Sequence, residues 1–107
     1  YVDISISGKI TGTFNCHFIN TRISGSGDVY LSGKTINQNI NISGSGRVNA
    51  FSFEAQNTDI RISGSGNANV SVADNLEARI SGSGNVYYKG NPNVSAHVSG
   101  SGRIIRR

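Results

Sequence analysis

Six carboxylates, two imidazoles and one thiol are the groups in this 107-residue chain best suited to catalysis or metal binding. Cleaving a glycosidic bond needs two converging carboxylates, or a carboxylate working with a Lys or Arg base. The acids are Asp3, Asp28, Glu54, Asp59, Asp74 and Glu77. Only Asp74 and Glu77 sit close together, on what reads as one solvated connection, so no catalytic residue is assigned and the chain is read as a non-enzyme. His17 and His97 are far apart, which argues against a zinc site. Cys16 is alone, so it can form neither an internal disulfide nor a multi-thiolate metal site. It reads as a small apolar filler. "GSG" has the look of a phosphate-cradling loop, but no Lys-Ser/Thr follows it. Calcium-binding coils place an acid after their glycine word. Here those positions are Asp28, Arg47, Asn67, Asn85 and Arg103, and two cations in the set argue against a metal. No cofactor is expected.

The residues that do recur form a word. Ile23-Ser24-Gly25-Ser26-Gly27 returns at 42–46, 62–66 and 80–84, and as Val98-Ser99-Gly100-Ser101-Gly102. A degenerate copy, Ile6-Ser7-Gly8-Lys9, precedes them, having lost its second Ser-Gly. The units begin near 6, 23, 42, 62, 80 and 98, a period of 17–20 residues. Within a unit the parity is strict. In "DIRISGSGNANVSV" one alternate set is Ile60, Ile62, Gly64, Gly66, Ala68, Val70 and Val72, while the other set is wholly polar. Period-two alternation means strand. It places Gly25, Gly44, Gly64, Gly82 and Gly100 on the inward side, as structural corners where a residue without a side chain lets the backbone turn.

A strand, a corner, a second strand and a variable connection back to the same word make one turn of a coil. One turn cannot bury its own apolar face, so each copy must cover the next. The expected fold is all-β, a single-stranded parallel β-helix of about six coils forming one domain over residues 1–107. Its interior would be files of like on like. The first is Ile6, Ile23, Ile42, Ile62, Ile80 and Val98. The second is Ile4, Thr21, Ile40, Ile60, Ala78 and Ala96. The third is Val29, Val48, Ala68, Val86 and Ile104. A short third side is placed around Ile19, Ile36, Phe53, Leu76 and Val94. An antiparallel sandwich is the competing fold, but it wants Asn-Gly or Asp-Gly turns, and none occurs. The repeat runs to both ends without a polar cap. Either the caps lie outside this chain, or molecules stack head to tail, a contact that does not close and grows a filament.

Composition agrees with a solenoid. The chain has 14 Gly, one Pro, no Trp and no Met, with 36% hydrophobic and 15% charged residues. No apolar run is long enough for a membrane-spanning helix. The first residues, Tyr1 to Ile6, carry no basic start, apolar stretch or cleavage site, so any signal peptide has been removed or was never present. With the acids spread over different unit positions, no two are expected to share a file. Two outward files can bind. The residue before the key Ile runs Ser5, Arg22, Asn41, Arg61, Arg79, His97, and beside it runs Ser7, Ser24, Ser43, Ser63, Ser81, Ser99. The candidate ligand-binding residues are therefore Arg22, Arg61, Arg79, His97, Ser24, Ser63 and Ser81. A basic column beside a hydroxyl column suits an anionic polysaccharide or a lipopolysaccharide, and the net charge of +4 suits an anionic surface. Outward strand positions must be polar in any case, and Asn spacing limits repulsion between the Arg. Nucleic acid is not expected as a partner, because no aromatic platform with interleaved cations is present.

"ISGSGDVYL", "ISGSGNANV" and above all "ARISGSGNVYYKGNPNVSAHVSGSGRI", residues 78–104, resemble the auto-transporter adhesin, head GIN domain family of bacteria. The resemblance covers nearly the whole chain. It implies a right-handed β-helix, exported and held in the periplasm or at the cell surface, with adhesion as its role. It brings no catalytic residues.

Overall fold

A computed structural model of the chain describes residues 2–6 and 8–106. They form β1 (Val2–Ile6), β2 (Lys9–Gly25), β3 (Asp28–Gly44), β4 (Arg47–Gly64), β5 (Asn67–Gly82), β6 (Asn85–Lys89), β7 (Asn93–Ser99) and β8 (Arg103–Arg106), and no helix occurs among the described residues. Every pairing is parallel. Strand β2 has 17 residues. At about 3.3 Å per residue it would stretch roughly 55 Å if straight, yet the longest dimension of the molecule is 34 Å. Each of β2 to β5 therefore bends around the core and makes one turn. β6 and β7 together make a fifth, and β1 and β8 are part-turns at the ends. This is a β-solenoid of about five turns.

The register explains the repeat. Ile23, Ile42, Ile62 and Ile80 pair in sequence across successive turns, and each is buried. The file Ile4, Thr21, Ile40, Ile60, Ala78 is likewise in register and buried. So are Val29, Val48, Ala68 and Val86. Stacking β-branched side chains on their own kind buries apolar surface at about 25 cal/mol per Å² and fits the stiff χ1 of Ile and Val. The files loosen in the last turn, where Ala96 and Val98 are exposed and Ile104 is half-buried. The side chain of Ile6 and the residue Ser7, expected to begin two of the files, lie outside the described residues.

The third side differs in part from expectation. Ile19, Leu76 and Val94 share a file and Phe53 is buried, but Ile36 is exposed and Phe53 pairs with Gly33 rather than with Leu76. The file that closes the core there is Ile19, Gln38, Thr58, Leu76, Val94. Its second and third members are polar yet buried, and Thr58 Oγ1 donates to Gln38 Oε1 at 3.3 Å. The misplacement follows from unequal turn lengths. The register slips between Tyr30 and Ser32 opposite β4, and again between Ala50 and Glu54 and between Ala55 and Asn57 opposite β5. Next to this file runs a ladder of Asn37, Asn57, Asn75 and Asn93. The Asn57 amide donates to Asn37 Oδ1 at 3.2 Å, and Asn75 donates to Asn57 Oδ1 at 2.9 Å. Stacked amides of this kind tie successive rungs.

The corner glycines are at the turns, but their inward placement needs correction. Gly25, Gly44, Gly64, Gly82 and Gly100 are exposed, not inward. Their φ values run from 86° to 118°, a region that a Cβ strains, and a Cβ on Gly64 would lie 2.7 Å from Gly44 O of the turn below. The inward glycine is the second of the word. A Cβ on Gly66 would lie 2.4 Å from Ile42 Cγ2. One glycine is required by the backbone and the other by the packing. Hydrogen bonds continue through the corner, for example Ser65 N to Gly44 O and Asn67 N to Gly46 O, both 3.1 Å.

Candidate ligand-binding face

The strand segment leading into each corner buries alternate residues and presents the others outward. Three outward columns result. The central one is Ser5, Arg22, Asn41, Arg61, Arg79, His97. On its corner side stand Ser24, Ser43, Ser63, Ser81 and Ser99, in register from β2 to β7. Arg22, Arg61, Arg79, His97, Ser24, Ser63 and Ser81 are all exposed. A groove of about 650 Å³ runs across four rungs and is lined by Asn41, Arg61, Ser63, Arg79, Ser81, His97 and Ser99. Ile42, Ile62, Ile80 and Val98 complete its lining. Ile42, Ile62 and Ile80 are themselves almost wholly buried, so little of them is open to the groove.

The third column was not anticipated. Asp3, Asn20, Asn39, Asp59, Glu77 and Ser95 run on the other side of the cations, with Asn20 buried and Asn39, Asp59 and Glu77 half-buried. Asp59 and Glu77 are direct neighbours on one file, contrary to the expectation that no two acids share one. The signal was available, because each acid stands three residues before the key Ile of its unit. Glu77 Oε1 accepts from Arg79 at 3.0 Å, both side chains being about half exposed. It is the only ion pair among the described residues. A pair this exposed contributes at most about 1 kcal/mol, but it commits one of the three guanidiniums. A second, smaller pocket of about 200 Å³ lies between these columns, lined by Asn20, Arg22, Asn39, Asn41, Asp59 and Arg61.

Elsewhere the chemistry is sparse. No group of three or more His, Cys, Asp or Glu that could hold a metal exists among the described residues. Cys16 is half-buried and its thiol meets Thr35 Oγ1 at 3.7 Å. Tyr30 and Tyr87 share a file with Asn49 and Asn69 between them, so they form no continuous stacking platform. Among the described residues no helix is long and apolar enough to cross a membrane.

With this geometry in hand, similarity to known proteins is informative. No curated protein matches the chain. Solved structures do. A "putative lipid binding protein" from Parabacteroides distasonis superposes with a TM-score of 0.93 at 30% identity, covering 99% of this chain and 44% of that one. A "putative adhesin" from Parabacteroides merdae gives 0.84 at 27%, covering 98% and 48%. Another from Bacteroides fragilis gives 0.81 at 24%, covering 98% and 56%, a likeness of fold alone. The chain thus spans about half the length of these relatives. None of the three is described as an enzyme, and an adhesin description is that of a surface or exported protein. The family model described as "Putative auto-transporter adhesin, head GIN domain" matches residues 1–92, and the chain belongs to that family.

Proposed function

We propose that this chain is a non-enzymatic module of the bacterial periplasm or cell surface that binds an anionic glycan along the Arg/Ser face. The observation that carries the reading is the register. It sets Arg61, Arg79 and His97 beside Ser63, Ser81 and Ser99 on three consecutive rungs of one open groove. Guanidiniums fork carboxylate and phosphate oxygens, and hydroxyls both donate to and accept from sugar hydroxyls. The lipid-binding description of the Parabacteroides distasonis relative supports a lipopolysaccharide, whose head carries the same anionic sugars. The test is a panel of anionic and neutral polysaccharides, intact lipopolysaccharide and its lipid-free polysaccharide. Retention that falls with salt and survives loss of the lipid supports a glycan ligand. Retention of the lipid-bearing form alone points to the acyl chains. Hydrolysis or elimination products from any member of the panel overturn the non-enzymatic reading.

A further inference from the structure

Resting on that reading of the face, we propose that its ligand is an extended β-1,4-linked polyuronate lying along the solenoid axis, with every second carboxylate held by an uncommitted cationic or imidazole side chain. The central column does not present its groups evenly. In rung order it reads Arg22, Asn41, Arg61, Arg79, His97. Arg79 is committed to Glu77 at 3.0 Å, whereas Arg22 and Arg61 take part in no ion pair among the described residues. The uncommitted groups are thus Arg22, Arg61 and His97, on alternate rungs. Between them stand a neutral amide and a neutralised pair. Two rungs span about 9.6 Å, twice the ~4.8 Å spacing of paired strands.

A diequatorial β-1,4 chain has a matching periodicity. Each sugar advances the polymer by a length close to one rung, and successive sugars are flipped, so one edge of the ribbon shows a carboxylate at every second unit. Laid along the column, alternate carboxylates meet Arg22 and Arg61, each able to form a bidentate, charge-assisted pair. The next in step meets His97, whose ring offers a donor in either protonation state. The intervening units present hydroxyls over Asn41 and the Arg79–Glu77 pair. The Ser column borders this track and supplies hydroxyl partners on each rung. The larger groove flanks the column from Asn41 to His97 on the Ser side, and the smaller pocket flanks it from Arg22 to Arg61 on the acidic side.

The experiment is calorimetric titration with oligo-β-1,4-glucuronates of defined length, with neutral cello-oligosaccharides as controls. A dimer can place one carboxylate on the column, and a trimer can place two, on Arg22 and Arg61. Affinity should therefore rise about tenfold from dimer to trimer, the worth of one added charge-assisted contact. Arg61→Gln should erase that gain. Arg47→Gln, which removes an exposed cation that lines neither the groove nor the smaller pocket, should stay within about twofold of the parent. All the altered side chains are exposed, and unchanged circular dichroism verifies that the variants fold. Equal affinity for dimer and trimer overturns the proposal, as does an Arg47→Gln variant as impaired as Arg61→Gln. If oligoglucuronates fail to bind while other anionic glycans are retained, the ribbon is wrong and the broader reading stands. If no anionic glycan is retained, both fall.

Discussion

Within the recurring word the two glycines do different work, although a single parity rule makes them look alike. Gly64 has φ of 114° and almost no room for a Cβ below Gly44 O, while Gly66 sits over the branched γ-methyl of Ile42. Ser65 between them is exposed. Gly64→Val and Gly66→Ala should each destabilise by about 2–4 kcal/mol, the first through backbone strain and the second through overpacking. Ser65→Ala should stay within about 0.5 kcal/mol. Thermal unfolding of the three variants checks the ranking, and comparable melting temperatures for Gly66→Ala and Ser65→Ala would put the serine, not the glycine, inside. Alternation located Ile23, Ile42, Ile62 and Ile80 correctly because strict period-two spacing survives up to the corner. It misplaced Gly25 and its equivalents because positive φ turns the chain, leaving Ser24, Gly25 and Ser26 all exposed before Gly27 dips inward. Parity carries no information about that turn.

The element least legible in the sequence is the third side of each turn. Ile36 looks like a core residue by type, but the core position belongs to Gln38. Turns of unequal length absorb their extra residues just there, so counting forward from one corner loses register before reaching the next. Counting backward from the key Ile keeps it. That offset finds both the Asn37–Asn57–Asn75–Asn93 ladder and the Asp59/Glu77 neighbours. Gln38 also carries a testable cost. Its Nε2 is buried without a hydrogen-bond partner, in a file bounded by Ile19 and Leu76. Removing both members of a buried polar pair in favour of apolar groups of like shape relieves the desolvation penalty. Gln38→Met combined with Thr58→Val should therefore raise stability by about 1 kcal/mol, read as a higher denaturation midpoint at unchanged slope. Thr58→Val alone should lower it, because Gln38 Oε1 then loses its donor. Asn57→Ala should cost about 1–2 kcal/mol, since Asn57 bridges two rungs of the ladder.

For the whole molecule, the parallel stack converts a short word into long chemical columns, and the columns are where function can reside. A net charge of +4 would favour an anionic partner at long range, and the register sets an acidic column beside the Arg column. The measurement that tests this account most directly is the binding isotherm of an anionic glycan to the parent and to the triple variant Arg22→Gln, Arg61→Gln, Arg79→Gln, at low and at high salt. The account predicts salt-sensitive binding by the parent, no measurable binding by the triple variant, and equal melting temperatures for the two. Undiminished binding by the folded triple variant would contradict it and leave the basic column as a solvated wall of the solenoid.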